Sequence, residues 1–274
     1  MNIDYEELLP DWWYADKDKK DLVLSNDIDS LASCALLKQK KGWEVRYFYD
    51  FEKSYASEKL KNNIGDRVWV DVAVLNGEKA FDNHVSMVSF WDDPNEQMIN
   101  PNLLADVTNA RYTNKYAGST LLMLWSLYNM PLPSTEEGKM LLLCIDCAFK
   151  GHYNDKFAEQ NQFYLCDMFG FGELYEVMER HKIGEFYDLI DKYHLNEELY
   201  WNGKEIKTEL DLEKISELLE LPLELPTGRF IIWKEYEIKT EKIEDYINQV
   251  QDIARNIFTL AFTYKDNARY SRVI

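Results

Sequence analysis

Positive charge is what this chain has least of. Against 49 acidic residues it carries 31 lysines and arginines, a formal net charge of −18. A protein that grips long nucleic acid by its phosphates usually shows a basic surface, and the average field here repels polyanions. The same field suits divalent cations. Cysteine is also sparse: Cys34, Cys144, Cys147 and Cys166 in 274 residues make no disulfide framework. Cys144 and Cys147 form a CxxC, but no second Cys or His pair at zinc spacing follows, so buried reduced thiols are expected. No apolar run approaches the roughly 20 residues that span a bilayer. The opening MNIDYEELLPDWW lacks the basic region and apolar stretch of a signal peptide. A soluble, cytoplasmic protein with no membrane partner is the expectation.

What is present is core-forming material. Apolar residues make up 46% of the chain and aromatics 14%, enough to exclude wholesale disorder. The opening third alternates strand and helix. DLVLS (21–25) reads as a strand, and Asp29 or Ser30 caps a helix through LASCALLKQKK that stops at Gly42. WEVRYFYDF (43–51) is strongly β-prone, SYASEKLKNN reads as helix, and DRVWVDVAV (66–74) as strand. That succession implies a parallel sheet with right-handed crossovers. KAFDNH is a short strand entering a polar turn. The following loop is broken by Pro94 and Pro101, and TLLMLWSLYNM is a buried helix opened by Gly118 and Ser119. GKMLLLCIDCAF is a further buried apolar run, read like the others as a strand.

The fold class expected is α/β, with a parallel sheet and helices on both faces over residues 1–175. A helical linker over 176–200, broken near Gly184, leads to a smaller α/β C-terminal domain over 201–274. In that domain a helix DLEKISELLEL, a strand GRFIIWKEYEI and a helix EKIEDYINQVQDIARN precede a hairpin turning at Lys265–Asn267. Trp12, Trp13 and Tyr14 read as a strap on the core, with contact to a partner or a base as the alternative.

Chemistry concentrates in aspartates that follow apolar runs: Asp27 and Asp29 in SNDIDSLAS, Asp71 in VWVDVAV, and Asp146 in CIDCAF, with Asp82-Asn83-His84 between the last two. Strand ends are where open α/β sheets place ligands. Close carboxylates repel unless a cation lies between them, and oxygen-rich sites favour Mn²⁺ or Mg²⁺. Two such ions activate water and clamp the attacking and leaving oxygens of phosphoryl transfer. Singly, an aspartate more often caps a helix or fills a turn.

In order and spacing, SNDIDSLAS, VWVDVAV, FDNHVS and CIDCAF resemble the four motifs of the DHH phosphoesterase superfamily. MINPNLL (98–104) and YAGSTLLMLWSLY (116–128) are similar to segments of its RecJ-like exonuclease branch. The resemblance covers roughly residues 20–155. It implies metal ligands at Asp27, Asp29, Asp71 and Asp146, with Asp71 bridging and Asn83 in the place of a ligand histidine. It puts His84 beside the scissile phosphate, making Asp71 and His84 the catalytic pair, and Mn²⁺ or Mg²⁺, one or two ions, as cofactor. In the C-terminal region, Arg269 and Arg272 fall on a faintly similar basic signature and are the expected substrate-binding residues.

Two departures stand out: Val23 and Ser25 lie where the family places an upstream histidine, and Asn83 stands for the middle histidine of the triplet. An asparagine oxygen holds manganese more weakly than an imidazole, and His152 is a candidate replacement. The implied activity is hydrolysis of phosphodiester bonds in single-stranded nucleic acid, oligonucleotides or small nucleotides. The competing expectations are a binding or regulatory protein with a degenerate metal site and a protein partner, and, ranked below it, a pyrophosphatase.

Overall fold

The computed structural model describes residues 1–14, 19–60, 65–247, 257–263 and 265–274. The chain is of mixed α/β class. A short helix α1 (Ile3–Glu6) precedes β1 (Asp21–Leu24), α2 (Ile28–Lys41), β2 (Glu44–Tyr49), β3 (Lys53–Ser57), β4 (Arg67–Val70), β5 (Lys79–Phe81) and β6 (Met98–Ile99). Five helices follow: α3 (Pro101–Leu104), α4 (Thr120–Leu127), α5 (Glu136–Cys144), α6 (Ala158–Gln162) and α7 (Gly172–Arg180). Then come α8 (Ile183–Lys192), β7 (Leu199–Trp201), β8 (Ile206–Thr208), α9 (Leu212–Leu219), β9 (Phe230–Lys242), β10 (Ile257–Thr263) and β11 (Asn267–Val273).

β7 and β8 form a separate hairpin. The other nine strands make one sheet in the order β10-β11-β9-β3-β2-β1-β4-β5-β6. Its β2-β1-β4-β5-β6 part is parallel, as the alternation of strand and helix implies. The remainder is antiparallel. β3 occupies the first part of the segment expected to be helical (54–63), of which 61–63 lie outside the described residues. Its burial follows pairing with Tyr47–Tyr49 on one side and with Phe230–Glu235 on the other. Two ladders outweigh the weak helical preference of SYASEKL.

The sheet curls until its edge meets its middle. Leu75 N–H donates to Phe258 O at 2.8 Å, Leu260 N–H to Ala73 O at 3.0 Å, and Phe262 N–H to Val85 O at 2.9 Å. The inner face is an aromatic core: Tyr49 lies 5.1 Å from Tyr236 and 5.5 Å from Trp69, and Phe258 packs edge-on to Trp69 at 4.9 Å. The outer face of the parallel strands carries the larger core, built with α2, α4, α5, α7, α8 and α9. Helices on both faces were expected. Among the described residues the inner face is filled by the strands' own side chains and meets helical residues only at Leu60, in a 3₁₀ turn, and Leu103.

The segment expected as a separate domain joins these layers. β9, 13 residues long, pairs with β3 through its first half and with β11 through its second, and α9 packs on α5. The expected linker is two helices packed on α5, with Phe186 stacked on Phe149 at 4.7 Å. The break between them falls at His181–Lys182, and Gly184 lies inside the first turn of α8. Residues 243–247 begin the expected helix, and 248–256 lie outside the described residues. The strap is present: Trp12 is buried against Phe81 and Trp43 and donates its indole N–H to Gln97 O. Trp13 packs edge-on to Tyr128, while Tyr14 is exposed. No helix is long and apolar enough to cross a membrane among the described residues.

Candidate functional site

The carboxyl ends of β1, β4 and β5 lie side by side, with the sheet order changing direction at β1. Asp27 follows β1 and is the N-cap of α2, accepting Ser30 N–H at 2.9 Å. The cap expected at Asp29 or Ser30 thus sits earlier, and both of those side chains turn inward. Asp29 is buried and accepts the backbone N–H of Thr120 (2.7 Å) and of Leu121 (2.8 Å), capping the N-terminus of α4 from across the site. Ser119 is the sequence-local cap of that helix. Asp71 ends β4 in a left-handed conformation (φ 60°), tolerable for aspartate. Thr120 Oγ1–H donates to it at 3.0 Å.

Asp82 ends β5 fully buried. Its carboxylate accepts His84 N–H (3.0 Å) and Asn100 Nδ2–H (2.9 Å) and lies 2.8 Å from His84 Nδ1. Asp82 therefore fixes the ring of His84, whose side chain is 37% exposed. Asn100 also donates to His84 O, and Asn102 to Asn83 O. Two asparagines from the MINPNLL segment thus brace the triplet from behind.

Asp146 follows α5, not a strand, in a turn where Asp146 and Cys147 both take left-handed backbone (φ 51° and 56°). The apolar run was misread because LLLC is buried on all sides and shows no period. Asn83 donates Nδ2–H to Asp146 Oδ2 (3.0 Å) and to Gly118 O. Flipping the amide would set oxygen against two oxygens, so Asn83 acts as a donor that holds Asp146. Only its Oδ1 remains for a cation.

These groups feel one another. Burial first, opposed by the Ser30 N–H and reinforced by the Asp146 charge, pushes Asp27 up to about 6. Burial and the charges of Asp146 and Asp27 raise Asp29 well above the carboxylate range. Burial and the charges of Asp29, Asp27, Asp146 and Asp82 do the same to Asp71. Burial works against an imidazolium at His84, but the Asp82 carboxylate outweighs it and raises the ring to about 9.

No lysine or arginine pairs with these carboxylates among the described residues. Ligand atoms of Asp71, Asp82 and His84 lie within 4.8 Å of one another, a spacing one cation can bridge. Oxygen-rich, crowded and short of cationic partners, the donor set fits a hard divalent ion. Asp82 was counted in the triplet without a role of its own, and Thr120 was missed, although it directly follows a helix cap.

A small cleft of about 30 Å³, room for roughly one water, opens beside Asp71 and His84, lined also by Phe51, Thr259, Arg269 and Ser271. Arg269, with its guanidinium 5.0 Å from the Phe51 ring, thus joins the site. Arg272 points to the opposite face of β11, stacked over Tyr270. Three residues apart, an odd number, the two fall on opposite faces of the strand. His152 is wedged edge-on between Tyr153 and Tyr175 (4.8 and 5.0 Å), which holds it as a packing residue, and burial lowers its pKa. All four cysteines are free, Cys34 and Cys144 buried and the other two half-buried. In comparisons with protein-family models, curated proteins and solved structures, none matches this chain.

Proposed function

We propose that the protein is a metal-dependent phosphodiesterase of DHH type. The observation that carries this reading is the gathering of Asp27, Asp29, Asp71 and Asp82 with His84 at three adjacent strand ends, with Asp146 brought in by the turn after α5 through Asn83 and with Asp71, Asp82 and His84 close enough to share one cation. Their mutual repulsion calls for bound cations. The aspartates would hold one or two Mn²⁺ or Mg²⁺ ions, which supply charge neutralisation and acidify water. His84, its ring held by Asp82, faces the cleft as a hydrogen-bond donor for phosphoryl oxygens. Arg269 adds a positive charge on the same cleft. The substrates are single-stranded nucleic acid, oligonucleotides or small nucleotides.

The test is hydrolysis with Mn²⁺ of a single-stranded oligonucleotide, a cyclic dinucleotide, bis(p-nitrophenyl) phosphate and pyrophosphate, against an Asp71→Asn control. Phosphodiester cleavage above the control supports the reading, pyrophosphate-only turnover replaces it with the pyrophosphatase, and no turnover sinks it. One observation favours a binding protein instead: Asn83 spends its amide on Asp146, and Asp29 spends both oxygens on α4. Metal stoichiometry separates the two, about two ions per chain for the enzyme and none for the binding protein.

A further inference from the structure

Seven residues beyond His84 stands the most exposed large hydrophobic side chain among the described residues. Trp91 is 93% exposed and Phe90 beside it 49%. The turn that displays them is fastened: the Asp92 carboxylate accepts Val88 N–H (2.6 Å), Ser89 N–H (3.2 Å) and Ser89 Oγ–H (3.2 Å). It is also anchored to the next segment, where Asn109 N–H donates to Met87 O at 2.8 Å. A fixed, water-facing indole has no packing role in this fold.

The 3₁₀ segment Asn109–Asn114, kinked at Arg111, runs on from this anchor. At one end, the Arg111 guanidinium lies 4.5 Å from the Phe90 ring centroid. At the other, Lys115 lies 4.7 Å over the Tyr112 ring and directly precedes Tyr116, whose N–H donates to the same Asn102 that braces Asn83. Neither cation has an ion-pair partner among the described residues. Cations interleaved with aromatic faces form the surface that single strands use, stacking bases without reading sequence. Such a local track also answers the net charge of −18, because it asks only for two unpaired cations where the phosphates run.

We propose that Trp91 and Phe90, with Arg111 and Lys115, form a stacking track that engages nucleotides beyond the scissile linkage and so sets substrate length. This rests on the phosphodiesterase reading for its purpose, but not for its measurement. In EDTA, fluorescence anisotropy of a labelled 12-nucleotide single strand reads binding alone. Trp91→Ala is expected to weaken it about tenfold, Trp91→Phe to restore most of it, and Arg111→Ala to weaken it and flatten its salt dependence. Trp91 is exposed, so its loss leaves the fold intact. With Mn²⁺, Trp91→Ala is expected to raise KM for the 12-nucleotide strand while leaving bis(p-nitrophenyl) phosphate hydrolysis unchanged. Equal binding by wild type and Trp91→Ala would overturn the track. Trp91-dependent binding with no cleavage of any substrate would keep the track and sink the phosphodiesterase reading.

Discussion

Asp27 serves two ends that conflict electrostatically. Its carboxylate caps α2, which stabilises, and sits among other buried carboxylates, which does not. Its folded pKa of about 6 lies above the ordinary value of 3.8, so between those pH values the folded state binds more protons than the unfolded one. Stability from this group therefore falls as pH rises through that window. Asp27→Asn keeps a capping oxygen and removes the charge. In EDTA at pH 7.5 it is expected to raise unfolding free energy by about 1–2 kcal/mol, with the gain vanishing towards pH 4. Thermal melts across that range check it, and a gain independent of pH would contradict the electrostatic cause.

His84 has the same sign for the opposite reason, because here the charged form is the protonated one and it is paired. Its raised pKa means that pairing with Asp82 is fully stabilising below about 6.5 and is lost as pH rises through about 9. An NMR titration of the metal-free protein should show that inflection near 9, and Asp82→Asn should move it down. At this scale the residue types were legible, because crowded aspartates announce themselves. The donors that fix them, Asn100, Asn102 and Thr120, were not, since an amide or hydroxyl carries no sign of which distant carbonyl or carboxylate it meets.

The elements that position the site divide by how local their determinants are. α2 and α4 were legible because their boundaries are written in adjacent residues: Gly42 takes φ 67° and returns its N–H to Lys38 O, and Ser119 accepts Leu122 N–H. β3 and the run before Asp146 were not, because pairing partners and all-round burial decide them. The Asp146 turn holds its carboxylate by the Asn83 amide, a link between elements 63 residues apart. Asn83→Asp replaces that donor with a further negative charge. In EDTA its melting temperature is expected to fall by several degrees, on the order of 1–2 kcal/mol, and saturating Mn²⁺ should recover it. A variant as stable as wild type without metal would mean that Asn83 does not hold Asp146.

For the whole molecule, closure of the sheet ties the C-terminal strands to the site. Arg269 reaches the cleft only because β11 is laid against β9, and β10 against residues 73–75. A domain boundary near 200 was a fair reading of the composition. Long-range pairing overrides it, since nothing in a 13-residue strand names both of its neighbours. Denaturant unfolding followed by tryptophan fluorescence and by circular dichroism should therefore give one coincident transition. Phe258→Ala, opening the aromatic interior, should cost about 3–5 kcal/mol. Two separated transitions would restore the independent domain. The central claim is that the gathered carboxylates are a cation site, and calorimetric titration of the metal-free protein with Mn²⁺ at pH 7.5 tests it most directly. Binding of one or two ions per chain, with proton release from the raised carboxylates and loss in Asp71→Asn, is the expected result. No heat, or the same isotherm for Asp71→Asn, would contradict it.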